Sequence, residues 1–301
     1  MKISANGISI EVDDRGPASG QPLLLIMGLG MQLLGWPEEL VQALVARGFR
    51  VIRFDNRDIG LSQGFDDLGV PHLPMAALRH ALHLKVQSPY GMADMAADTL
   101  GVMDALGLRD AHICGASMGG MIAQHVAATQ PTRVRSLTLM MTTSGARRLP
   151  QPGIKVQRAM MARPDGSDPA AVVAHLQWLL GIIGSPAYPP EPDRLRQRLQ
   201  ALVARSWHPA GTARQLLAVV ADGDRTPLLA RITSPTCIIH GEQDVLIPVA
   251  AGRDLAERIQ GAVADIVPGM GHDLPVQLLP RFAQAIADNA ARWRERQPQV
   301  A

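Results

Sequence analysis

Apolar runs alternate with amphipathic stretches along the first half of this chain. Leu23-Leu24-Leu25-Ile26, Val51-Ile52-Arg53-Phe54, His112-Ile113-Cys114 and the stretch from Val134 to Met141 contain few polar positions. Such runs suit strands buried on both faces, as in a parallel sheet covered by helices. Between them, Glu38 to Arg47 and Met92 to Leu106 carry helical spacing and stop at Gly48 and Gly107. At the start of the chain, Ile8 to Val12 alternates apolar and polar positions, and Asn6-Gly7 supplies a two-residue hairpin turn. Residues 56–91 are irregular, with a short helix expected around Met75–Lys85.

The alternation stops between Ser144 and Thr226. Helical patterns near Ala170–Ile183, Asp193–Ala204 and Gly211–Val220 are separated there by proline-rich loops. It then resumes, with strands at Thr236–His240 and Ala264–Val267 and helices at Ala250–Ile259 and Leu274–Arg294. The pattern predicts an α/β fold: a mostly parallel central sheet with helices on both faces and a helical cap inserted after the sixth strand. The expected organisation is a core of residues 1–143 and 227–301, with 144–226 as the cap.

Composition narrows the partners. The net charge is +2 and no long Lys/Arg run occurs, which argues against nucleic acid. No apolar run is as long as a membrane span and the N-terminus has no signal-peptide core, so no membrane partner and a cytoplasmic location are expected. Aromatic residues make up 3% of the chain, so an apolar pocket would be built mainly from Leu, Met, Ile, Val and Ala. Cys114 and Cys237 each sit in an apolar run and read as small buried hydrophobes. No metal site or cofactor is expected, and a homo-oligomer is compatible with the composition.

The chemistry is concentrated in one turn, Gly115-Ala116-Ser117-Met118-Gly119-Gly120, between a strand and a helix. Glycines two residues before and after a serine allow a sharp strand-to-helix elbow that holds the hydroxyl at a helix N-terminus. A serine nucleophile needs a base, and the base needs an acid to orient it. Asp244 follows the strand ending at His240, and His272 follows the next strand, so all three lie on loops at strand carboxyl ends. Catalytic roles are therefore expected for Ser117, Asp244 and His272. Glu242 is a weaker competitor for the acid, Asp273 is expected to point away, and His112, His125 and His240 are read as packing, surface or bracing residues. The oxyanion donors expected are the backbone N–H groups of Met118 and Leu29, with Gly28 and Gly30 as alternatives to Leu29. Gly28-Leu29-Gly30 lacks the third glycine of a dinucleotide loop. Gly28, Trp36, Trp178 and Trp207 are the substrate-binding candidates.

These motifs make the chain resemble an α/β-hydrolase over nearly its whole length. Leu25-Ile26-Met27-Gly28, Gly35-Trp36-Pro37, Arg53 to Ser62, Ser88-Pro89-Tyr90-Gly91-Met92 and Ser117-Met118-Gly119-Gly120 resemble the aclacinomycin methylesterase-like branch, which hydrolyses a methyl ester on a polyketide. The resemblance implies a serine esterase acting on a small, apolar ester, with a catalytic triad, an oxyanion loop and a helical cap. Two departures stand out: Met27 replaces the histidine common before the oxyanion glycine, although this branch tolerates it, and Gln63–Gln87 is longer than that branch usually carries. The competing readings are a cofactor-free haloperoxidase or perhydrolase, a C–C bond hydrolase with the same triad, and a ligand receptor built on the fold.

Overall fold

The computed structural model describes residues 1–296 apart from His83, Asp165 and Ser167. The hairpin strands β1 (Lys2–Ala5) and β2 (Ile8–Arg15) turn at Asn6 and Gly7, both at positive φ as a tight hairpin requires. Then follow β3 (Gln21–Ile26), α1 (Glu38–Val45), β4 (Phe49–Phe54), α2 (Leu73–Ala81), α3 (Met92–Ala105), β5 (Ala111–Ala116), α4 (Met118–Thr129) and β6 (Val134–Met140). Among the described residues, β6 is followed by α5 (Ile154–Met161), α6 (Pro169–Ile183), α7 (Pro192–Arg205), α8 (Pro209–Asp222) and α9 (Thr226–Leu229). The chain returns to the sheet with β7 (Thr236–Gly241), α10 (Ala250–Arg258), β8 (Val263–Val267) and α11 (Leu279–Arg296).

The strands form one sheet in the order β1-β2-β4-β3-β5-β6-β7-β8, parallel from β4 to β8 and antiparallel at the hairpin. The central strands have no polar face because helices cover both sides. Leu24, Ile26, Ile113 and Leu139 belong to a core cluster with residues of α3 and α4, whereas Leu23, Leu25, Cys114 and Ile239 share one with residues of α1 and α11. Two expectations shift. Helix α5 was not anticipated, and α11 starts later than Leu274 because Pro275 and the 3₁₀ turn Val276–Leu278 precede it.

The helices after β6 are not equally independent of the sheet. Ala218 of α8 and Leu229 of α9 belong to the α3–α4 core cluster. Arg214, fully buried on α8, donates Nε and Nη2 to the buried Asp58 carboxylate at 2.8 and 2.7 Å. Tyr90 Oη donates to Asp58 at 2.7 Å, and Arg214 also reaches the Gly69 carbonyl and Asp66. Burial raises the Asp58 carboxyl pKa, but the bonds from Arg214 and Tyr90 outweigh it and hold it below the ordinary carboxylate range. Among the described residues no helix is long and apolar enough to cross a membrane.

Candidate active site

Ser117 occupies φ +55° and ψ −119°, a conformation that an L-residue adopts only when its surroundings enforce it. Its N–H donates to the Met140 carbonyl on β6 at 2.8 Å, and its carbonyl accepts from Thr142 Oγ1 at 2.7 Å. The flanking glycines are obligatory on steric grounds. A Cβ on Gly115 would lie 2.2 Å from the Gly119 carbonyl oxygen, and one on Gly119 would lie 2.0 Å from that of Ile26. The tight elbow brings Ser117 to the start of α4, where the Met118 N–H donates to no acceptor among the described residues.

The structure brings Ser117, His272 and Asp244 together. His272 Nε2 is 3.0 Å from Ser117 Oγ, and its Nδ1 is 2.7 Å from Asp244 Oδ2. Asp244 Oδ1 accepts the N–H groups of Leu246 and Ile247 at 2.9 and 2.8 Å, so the buried carboxylate is held before it meets the imidazole. His240, one turn before Asp244, donates Nε2–H to the Ile247 carbonyl at 2.8 Å. Burial lowers its pKa, which keeps it neutral beside the acid. Glu242 lies at the end of this strand and donates its backbone N–H to the Val267 carbonyl.

The histidine loop rests on the helical segment, a contact with no sequence signal. The His272 N–H donates to the Ile183 carbonyl at 2.7 Å, and the Gly271 N–H to Ser185 Oγ at 2.8 Å. Ser185 in turn donates to Asp273, which turns this carboxylate toward the C-terminal end of α6. Burial raises the Asp273 carboxyl pKa. A side chain at Gly271 would meet the Gly184 carbonyl at 2.3 Å.

The loop after β3 faces the serine. A Cβ on Gly28 would sit 3.1 Å from Ser117 Cβ, so glycine permits the close approach. Gly30, one of the alternatives for the second oxyanion donor, has its N–H committed to Gln215 Oε1 at 2.9 Å. The Leu29 N–H has no acceptor among the described residues. Asn56 donates to the Met27 carbonyl, and the buried Asp55 accepts from the N–H groups of Leu33 and Leu61, which fixes the loop from behind.

The tryptophans separate. Trp36 is 1% exposed and belongs to the core cluster that also holds Leu40 and Phe282. Trp178 is half exposed on α6 against His175. Trp207 lines a cavity with Gly30, Ile59, Leu176, Leu202 and Thr212, between the loop after β3 and the helical segment. His112 and His125 pair with Ser136 and Asp222, away from Ser117.

A parallel sheet presenting a serine elbow, an acid loop and a histidine loop at the strand carboxyl ends is the architecture of the α/β hydrolases. The chain belongs to that family: the family model for the alpha/beta hydrolase fold matches residues 21–275. It is 31% identical to rhodomycin D methylesterase DauP of Streptomyces sp. (strain C5), over 94% of this chain and 95% of that protein. It is 30% identical to rhodomycin D methylesterase DnrP of Streptomyces peucetius, with the same coverage. Among solved structures, the enol-lactonase from Burkholderia xenovorans LB400 shares the fold with a TM-score of 0.75 at 24% identity, covering 97% of this chain and 100% of that one.

Proposed function

We propose that the protein hydrolyses carboxylic esters through an acyl-enzyme on Ser117. The observation that carries this reading is the hydrogen-bonded chain from Ser117 Oγ through His272 to Asp244, beside a loop and a helix start whose Leu29 and Met118 N–H groups have no acceptor among the described residues. His272 Nε2 takes the proton as Ser117 attacks the ester carbonyl, and Asp244 holds the Nδ1–H tautomer and steadies the imidazolium. The Met118 and Leu29 N–H groups receive the oxyanion. His272 then protonates the departing alkoxide, and a water activated by the same histidine releases the acid. The helices within 144–226 act as a cap on the core formed by 1–143 and 227–301, and Trp207 contributes to the substrate wall. Similarity to two methylesterases supports a small alcohol, methanol above all, as leaving group.

Incubation with a fluorophosphonate should label Ser117 stoichiometrically, and methyl esters of graded acyl size should turn over many times per labelled site. Failure to label, or a single turnover, rejects the reading in favour of a receptor. Relatives also include a 2-hydroxy-6-oxononadienedioate/2-hydroxy-6-oxononatrienedioate hydrolase from Paraburkholderia xenovorans (strain LB400), at 26% identity. A vinylogous diketone assayed beside the esters distinguishes C–C cleavage.

Gln215 positions the oxyanion loop, since it accepts from Gly30 N–H and donates to the Arg57 carbonyl at 2.9 Å. Gln215→Leu leaves both backbone groups unpaired and lets the loop drift. Steady-state kinetics on p-nitrophenyl butyrate should show kcat reduced by roughly 10- to 100-fold with KM little changed.

A further inference from the structure

Between Asp67 and Asp94 the chain contains no Asp or Glu, and it carries Arg79 and Lys85. This is the stretch that forms α2, which carries apolar side chains both against the core and at the surface. On the inner side Ala76, with Val86 beyond the helix, packs against Leu217, Val220 and Ala221 of α8. Met75, Leu78 and Leu82 recur at helical spacing along a single stripe, and each is more than half exposed. Leu68, Val70 and Leu84 add further exposed apolar side chains along the flanking chain.

Isolated apolar residues on a surface need no explanation, but a stripe of three large ones with three more close in sequence marks a surface that meets something. Its charge says what. Arg79 borders the stripe, and its Nε donates to the Lys85 carbonyl at 2.9 Å, which keeps the chain after α2 folded against the helix. Of the acids near the stretch, Asp66 is engaged by Arg214 and Asp94 caps α3 through the Gly91 N–H, which leaves Asp67 as the one acid beside it without a partner among the described residues.

We propose that this face docks on an anionic lipid surface, with α2 in the plane of the interface, Met75, Leu78 and Leu82 inserted, and Arg79 and Lys85 at the headgroups. A helix lying in the interface needs no membrane span. Gly60, at the start of the segment that leads to α2, lines the cavity beside Trp207 together with Ile59. Catalysis is not required for docking, so a soluble ester serves as an independent control.

Flotation of the full-length protein with phosphatidylglycerol or phosphatidylcholine vesicles tests this. Recovery with phosphatidylglycerol should exceed that with phosphatidylcholine by about tenfold at low salt, and the excess should vanish at about 0.5 M salt. Leu78→Glu/Leu82→Glu should abolish flotation while hydrolysis of p-nitrophenyl butyrate is unchanged. Arg79→Gln/Lys85→Gln should remove the preference for the anionic vesicle, which keeps the test decisive if the first variant folds poorly. Equal recovery with both lipids, no recovery with either, or wild-type flotation of both variants overturns the proposal. Sedimentation that reveals a dimer dissociated by Leu78→Glu/Leu82→Glu also overturns it, because a second copy would then cover the face.

Discussion

Ser117→Ala should lower kcat for p-nitrophenyl butyrate by on the order of 10⁴-fold or more, with substrate binding and thermal stability nearly unchanged. The side chain loses one hydroxyl, whose only hydrogen-bond partner among the described residues is His272 at 3.0 Å. The elbow itself is held by backbone bonds to Met140 and by Thr142 Oγ1, which alanine leaves in place. His272→Ala should cost as much, and the double variant little more, because the serine and its base act as a unit and their losses do not add. A Ser117→Ala enzyme that keeps a tenth of wild-type turnover would exclude the acyl-enzyme route. A double variant whose loss is the product of the single losses would instead mean that the two residues act separately.

Arg214→Met should destabilise the protein by roughly 3–5 kcal/mol at neutral pH, through the charge it leaves behind. Asp58 would remain buried with Tyr90 and the Phe65 N–H as its remaining donors among the described residues. The double variant Asp58→Asn/Arg214→Met should recover part of that loss, since no uncompensated charge remains. The pH dependence has a definite sign. The folded Asp58 carboxyl titrates below its ordinary range despite burial, because Arg214 and Tyr90 favour its ionised form. That stabilisation is complete above the unfolded carboxyl pKa of about 3.9 and is lost as pH falls through the folded value. In Arg214→Met, protonation instead relieves the buried charge. The stability gap between wild type and variant should therefore narrow as pH drops from 7 toward about 4. Urea midpoints measured across that range check this, and a gap that is constant with pH would assign the loss to packing alone.

Arg214 and Gln215 also mark where the sequence stopped being legible. Their partners Asp58 and Gly30 lie 156 and 185 residues away in the chain. Helical spacing on α8 predicts a helix but carries no trace of where its polar side chains end. The same holds for the histidine loop, whose seat on Ile183 and Ser185 joins two segments 88 residues apart. The strands are legible to within a few residues because burial on both faces leaves an apolar run. Helix α5 leaves no such trace, because one short stretch of mixed polarity, eight residues long, does not stand out among loops.

The sequence by itself determined the alternation of strands and helices, the helical segment after β6 and the chemistry available on three loops. Those properties depend on local periodicity, on glycine at positions where a side chain would collide with backbone, and on the order of residues along the chain. Only the tertiary structure decided the distances from Ser117 to His272 and from His272 to Asp244, the engagement of the Gly30 N–H by Gln215, the burial of Trp36 in the core and the outward apolar side chains of α2. Each of these depends on which segments meet across the fold, and a hydrogen bond or a packing face is specified by both partners at once.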